Sequence, residues 1–224
     1  IYVWTEALVN YITALDYHVD GEKFRRFWPA NVHMMAKEIT RFHVIIWPAM
    51  LMAVGLPLPQ QIFAHGWLTK DGDKISKTLG NVIDMDELIE EFGLDPFRYF
   101  FMREFSFGND GNYTQQRFVT RYNSDLANDL GNLLNRVLGL LSKNFEVLPD
   151  PIQPDAIDEE IKQMALETAE KLDQLMNQAA LDVALETVWE FVRRLNRYIQ
   201  QTKVWSLKDD PSRMGTILYN AMEA

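Results

Sequence analysis

The 224 residues are 47% hydrophobic and 24% charged, with 9 prolines and 11 glycines, a balance that supports packed cores and excludes a disordered chain. The absence of cysteine removes disulfides, thiolate metal sites and cysteine nucleophiles together. A formal charge of −10 argues against coating nucleic acid by bulk electrostatics, and no apolar run reaches the roughly 20 residues that span a bilayer, so a cytoplasmic protein without membrane contact is expected.

Ile1-Tyr2-Val3-Trp4 is β-prone and predicts a strand running into a helix that carries Leu8, Tyr11, Ile12 and Leu15. Trp4, Leu8 and Tyr11 fall at i, i+4 and i+7 and share one face; by periodicity alone this is a core stripe. A second helix is predicted over 33–47, stopped by Pro48, with Ile39, His43 and Trp47 four apart on it. Residues 62–67 read as a short buried strand. Asp71-Gly72 then turns a hairpin into Lys74-Ile75-Ser76-Lys77-Thr78-Leu79-Gly80-Asn81. Asp84 and Glu87 form a capping box for a helix that closes at Gly93, and Asp95-Pro96 begins the next. Alternating strand and helix predict an α/β layer with ligand at the strand ends.

After Gly108-Asn109-Asp110-Gly111 every segment reads as helix: 115–143, 155–178, 181–202 and 211 to the end, with Pro149, Pro151 and Pro154 in the longest linker. The fold class is therefore α/β followed by all-α, divided as 1–115 and 116–224. In the first long helix Phe118, Tyr122, Leu126, Leu130, Leu133, Val137 and Leu141 make the apolar face, while Asn132 and Arg136 stand four apart on the other side. Arg193, Arg194, Arg197 and Lys203 cluster while Asp155 to Glu170 is acidic, so one face of the helical half could meet RNA and the other could not. Trp205 follows, placed either to stack a base or to plug the bundle.

The residues with chemistry to offer are Lys74 and Lys77, three apart on a loop. Such lysines, with Ser76 between them, can close on a polyphosphate and stabilise charge on displaced phosphate oxygens. Taken alone a Lys-x-Ser-Lys run is more often a solvated hairpin.

In order, the segments Tyr2-Val3-Trp4-x-x-Ala7-Leu8-x-x-Tyr11, Lys37-Glu38-Ile39-x-Arg41-Phe42-His43-x-x-x-Trp47-Pro48-Ala49, Phe63-Ala64-His65-Gly66-Trp67 and Lys74-Ile75-Ser76-Lys77-Thr78-Leu79-Gly80-Asn81 resemble the second half of the methionyl-tRNA synthetases, a class I aminoacyl-tRNA synthetase family. The resemblance covers nearly the whole chain. It implies the second half of a Rossmann-like nucleotide fold with a stem-contact region, then an anticodon-binding bundle truncated at its C-terminus. The implied activity is ATP-dependent formation of methionyl-adenylate and transfer to the 3′ end of tRNA(Met), with ATP and Mg2+ as substrate.

Residue by residue, the resemblance implies a KMSKS-like loop at residues 74–78 with Lys74, Ser76 and Lys77 catalytic. It implies a methionine pocket of Trp4, Leu8, Tyr11, Ile39, His43 and Trp47, and adenylate contacts from Ala36, Glu38, His65 and Gly66 with the two lysines. Asn132, Arg136 and Trp205 would read the anticodon. Leu8 stands where many relatives have proline, Val204 replaces the usual proline before Trp205, and Ala36 and Glu38 replace a Gly and an Asp that serve the adenylate ribose.

The HIGH signature of the family's first half is absent, as is the inserted domain that often binds zinc; His18, His33, His43 and His65 form no such motif. The chain begins at Ile1 and ends in Ala221-Met222-Glu223-Ala224 within a helical pattern. The expectation is an excised fragment of a monomeric parent, inactive by itself and without zinc ligands of its own. Another class I synthetase for an apolar amino acid, a non-catalytic tRNA-binding module and a nucleotidyltransferase without tRNA remain open on the residues alone.

Overall fold

The computed structural model describes residues 3–19, 21–76, 78–152 and 154–224, Val3 by its backbone alone. The chain forms two compact units, Ile1–Thr69 with Phe107–Gly111, and Lys70–Ser106 with Asn112–Ala224.

In the first unit, helices α1 (Val3–Thr13) and α2 (Glu22–Phe27) precede strand β1 (Val32–Ala36), helix α3 (Trp47–Ala53) and strand β2 (Gln61–His65). The two strands pair in parallel, in register from Val32 opposite Gln61 to Ala36 opposite His65. Helix α3 lies in the connection between them, as a parallel pair requires. Leu8 and Ile12 of α1 pack with Trp28, Trp47 and Leu51 into the core of this unit, and Phe42 and Ile46 lean on it.

Two expectations fail here. The N-terminal strand does not extend through Val3 and Trp4, which lie in α1; Ile1 and Tyr2 fall outside the described residues. Tertiary packing overrides β propensity, for Trp4 stacks on Phe42 with ring centroids 5.2 Å apart. The helix over 33–47 is instead β1, a 3-10 turn at Lys37–Ile39 and a π turn at Phe42–Ile46. Along β1 burial alternates, with His33 and Met35 inside and Val32 and Met34 outside, which suits a ladder with β2. Pro48 does not stop a helix; it sits in the first turn of α3, where a missing N–H costs nothing.

Downstream, β3 (Leu68–Lys70) and β4 (Asp73–Lys74) form the expected hairpin. Its turn needs two left-handed residues, and Asp71 (φ 54°) and Gly72 (φ 90°) supply them. With β5 (Gly111–Tyr113) these strands make a sheet in the order β4-β3-β5. Helix α4 (Met85–Phe92) opens on Asp84, whose carboxylate accepts from the amides of Asp86 and Glu87 at 3.1 Å, and closes at Gly93 (φ 91°); α5 (Leu94–Glu104) follows.

The rest is helical, as expected: α6 (Gln115–Arg121), a ten-residue π segment (Tyr122–Gly131) and α7 (Asn132–Asn144) run on from one another, then α8 (Ala156–Asn177), α9 (Leu181–Thr202) and α10 (Pro211–Glu223). Leu133, Val137, Ile161, Ile199, Val204, Ile217 and Leu218 fill their core.

Two buried carboxylates of the second unit are fully partnered, whereas the buried Arg103 Nε and Trp189 Nε1 have no hydrogen-bond partner among the described residues. Asp125, in the π segment, accepts from the Tyr99 hydroxyl at 2.6 Å, from Ser124 at 2.7 Å and from Arg121 at 3.2 Å. Burial pushes the Asp125 carboxyl up, but these donors outweigh it and hold the group below the usual carboxylate range. Asp158 does the same for Tyr198 (2.5 Å) and Arg213, tying α8 to α9 and α10.

Truncating Ile199 or Ile217, both fully buried, to alanine is expected to cost about 2–5 kcal/mol in urea unfolding. Leu166→Ala, at a position 62% exposed, is expected to change stability by less than about 0.5 kcal/mol.

Candidate adenylate and amino-acid site

Parallel pairing sets Ala36 beside His65 at the carboxyl ends of β1 and β2. Ala36, Glu38, His65 and Gly66 therefore gather at the strand ends, where open α/β sheets bind ligands. Ala36 has φ −78° and ψ 151°, an extended conformation that asks for no glycine. Gly66 is different: a Cβ there would lie 2.0 Å from the Asn109 carbonyl oxygen, so only glycine lets residues 108–110 come close.

Held in that approach, Asp110 accepts from Lys37 Nζ at 2.5 Å and from the Trp67 backbone amide at 2.8 Å, and the Lys37 ammonium lies 4.3 Å from the centre of the Trp67 ring. The Lys37 bond, then the amide, hold the Asp110 carboxyl below its ordinary range. Sequence reasoning missed this group, whose members are 73 residues apart. Lys37 is thus spoken for as a clamp on the site's edge.

The amino-acid pocket continues from β1. His43, 2% exposed, sits in the π turn with its Nδ1 3.0 Å from the Ile39 carbonyl and its Nε2 2.9 Å from the Tyr11 hydroxyl. A carbonyl only accepts, so Nδ1 carries a proton, and in a neutral ring Nε2 then accepts from the Tyr11 hydroxyl. Below it Trp47 Nε1 donates to His33 Nε2 at 3.1 Å, which requires that nitrogen bare too. Burial, and then the neighbouring His43, lower the His33 pKa. Tyr11 touches His33 (4.3 Å between ring centroids), His43 (5.6 Å) and Trp47 (5.9 Å). Leu8 and Trp47, both 1% exposed, close the floor, while Trp4 and Tyr11 remain more than a third exposed at the rim. The result is an uncharged, ring-lined cup that suits a polarisable apolar side chain. His33 was not singled out beforehand, because its role depends on Trp47 reaching it.

Lys74 ends β4 and is exposed, Ser76 is half-buried, and Lys77 lies outside the described residues. These loop residues belong to the second unit and the cup to the first.

In the helical part, Asn132 is the exposed first residue of α7 and Arg136 stands one turn on, half-buried. Trp205 is 42% exposed on a short 3-10 turn after left-handed Lys203 (φ 46°). It does not plug the bundle; the fully buried Val204 does.

The arginine cluster is corrected. Arg194 is 8% exposed and bound to Glu160 at 2.9 Å, and Arg193 pairs with Glu186, so helix packing consumes both charges. Arg197 alone of the three arginines is exposed. Among the described residues no group of three His, Asp or Glu is placed to hold a metal ion. A groove of about 530 Å³ between α8 and α10, lined by Ile161, Leu166 and Tyr219, contains none of the expected site residues.

Residues 1–138 match the family model described as tRNA synthetases class I (M). The chain is 49% identical over 229 residues to the methionine–tRNA ligase of Caldanaerobacter subterraneus subsp. tengcongensis and 48% identical over 227 residues to that of Thermotoga maritima; each alignment takes in the whole chain and 36% of the relative. It thus spans about a third of the length of these curated relatives. Among solved structures, Mycobacterium tuberculosis methionyl-tRNA synthetase in complex with methionyl-adenylate superposes with a TM-score of 0.93 at 41% identity, covering 99% of this chain and 45% of that one. The apo form of the same enzyme gives 0.89 at 39% identity.

The lowered His33 pKa has a sign. Unfolded chains take up a proton near the ordinary 6.5, which the folded cup resists, so stability is full above that pH and declines as pH falls through it. Thermal midpoints are expected to drop between pH 7.5 and 5.5, with a shallower drop in His33→Gln, whose amide oxygen still accepts from Trp47.

Proposed function

Because the chain belongs to the class I methionyl-tRNA synthetase family, with that class's fold in a mostly helical chain with small sheets, we propose that the full-length protein is a methionine-tRNA ligase. The methionine carboxylate attacks the α-phosphate of ATP, pyrophosphate leaves, and the methionyl group passes from the adenylate to the 3′ end of tRNA(Met). Residues 1–115 are the C-terminal half of the Rossmann-like catalytic domain with its KMSKS-like loop, and 116–224 the anticodon-binding bundle.

The observation that carries this reading is the uncharged cup around His43. A thioether offers no charge and only weak acceptors, so it is selected by shape and by sulfur–ring contacts, and Trp4, Tyr11, His43 and Trp47 supply rings while Leu8 and Ile39 supply aliphatic wall. A neutral imidazole there leaves no buried charge facing the sulfur. Ala36, Glu38, His65 and Gly66, at the adjoining strand ends, take the adenylate; the Glu38 carboxylate, exposed just past β1, serves the ribose. Lys74 and Lys77, with Ser76, bear on the phosphates and stabilise the charge that builds as pyrophosphate departs. Mg2+ enters with ATP, and any zinc belongs to the part of the protein outside these residues. Asn132, Arg136 and Trp205 read the anticodon, the exposed indole by stacking a base. A cytoplasmic monomer is the proposed setting.

In the full-length protein, methionine-dependent exchange of pyrophosphate into ATP is expected, with isoleucine and valine poor substitutes. Lys74→Ala or Lys77→Ala is expected to lower kcat by about 10²–10³-fold. The isolated 224 residues are expected to show no exchange, and clear activity in them would contradict the division of the site. Trp205→Ala is expected to raise the KM for tRNA and leave exchange untouched; an unchanged tRNA KM would remove it from the anticodon surface.

A further inference from the structure

The exit of the lysine loop, Gly80-Asn81, turns back onto the loop's first residues. Asn81 Oδ1 accepts the Ser76 backbone N–H at 2.8 Å, and Asn81 Nδ2 donates to the Lys74 carbonyl at 3.0 Å. One carboxamide thus spends its acceptor and a donor on the backbone just before and just after Ile75, tying Asn81 back to residues 74–76. Gly80, at φ 67°, makes the turn that brings Asn81 back, a conformation strained for other residues. The far end is anchored as well: Lys70 Nζ donates to the Val82 carbonyl at 3.2 Å, and Ile83 is buried.

From this we infer that Asn81 is a positioning residue for methionine activation, a latch that holds the loop in shape before nucleotide arrives. The inference rests on the proposed ligase reading. Lysines that act on departing phosphate must be ordered when the transition state forms, and ordering eight loose residues at that moment is entropically costly. The Asn81 bonds meet part of that cost in advance. A carboxamide is the side chain suited to the task, since it must accept from an amide and donate to a carbonyl at once. Aspartate is isosteric but has no donor, and sets a carboxylate against the Lys74 carbonyl.

The effect belongs to the activation step, where the lysines meet pyrophosphate, and not to transfer from a finished adenylate. In the full-length protein, Asn81→Ala and Asn81→Asp are expected to lower kcat for methionine-dependent pyrophosphate exchange about 10- to 30-fold, the worth of roughly two hydrogen bonds. The KM for ATP in Asn81→Ala should stay within about twofold, and transfer from supplied methionyl-adenylate to tRNA should run at the unaltered rate. Wild-type kcat in Asn81→Ala would overturn the latch. So would equal losses in activation and transfer, which mark general damage. Lys74→Ala run alongside separates the two levels of inference: if it is inert, or if the unaltered protein shows no exchange, the ligase reading falls and the latch with it; if Lys74→Ala is impaired while Asn81→Ala is not, only the latch falls.

Discussion

The bond between the Tyr11 hydroxyl and His43 Nε2, 2.9 Å long, ties helix α1 to the segment that leaves β1. Nδ1 must donate to the Ile39 carbonyl on the other side of the ring, so in a neutral imidazole Nε2 accepts from Tyr11. Much of the first unit follows from that fixed imidazole. Tyr11 is set against His33 and Trp47, Trp47 turns its indole N–H down onto His33, and the apolar cluster of Leu8, Ile12, Trp28 and Leu51 closes beneath. A charged His43 could not accept from Tyr11, and a charged His33 could not accept from Trp47. The polarity of the cup and its packing are therefore one constraint.

The same economy operates at the strand ends. Parallel register brings Ala36 to His65, Gly66 admits the 108–110 turn, and Asp110 then holds Lys37 against Trp67. Each step depends on the one before, because the turn cannot approach a side chain at residue 66. The lysine loop is shaped by Asn81 in a comparable way, through the backbone groups of Lys74 and Ser76.

What the sequence made legible was local. The Asp71-Gly72 hairpin, the Asp84 cap, the close at Gly93 and the long helices after Tyr113 are written in neighbouring residues, and the structure has them. The stripe Trp4, Leu8, Tyr11 was also readable by helical spacing, since α1 carries all three. Strand β1 was not, because Val32–Ala36 becomes a strand through a partner 29 residues on, while its run of His, Met and Ala reads equally well as helix. The arginine cluster misled for a like reason: Glu160, which neutralises Arg194, is 34 residues away. Asp110 and its lysine were invisible on the same grounds. Contacts between distant segments decided which charges face solvent and which residues line the site.

The tautomer of His43 is the point on which the uncharged cup stands or falls. Nitrogen-15 NMR of the histidine-labelled full-length protein at pH 7, with His43→Gln to assign the resonance, reads it directly. A neutral ring protonated at Nδ1, unchanged when methionine is added, is the expected result. An imidazolium, or a ring protonated at Nε2, would contradict the hydrogen-bond chain from Ile39 through His43 to Tyr11 and the selection of a thioether that we propose for it.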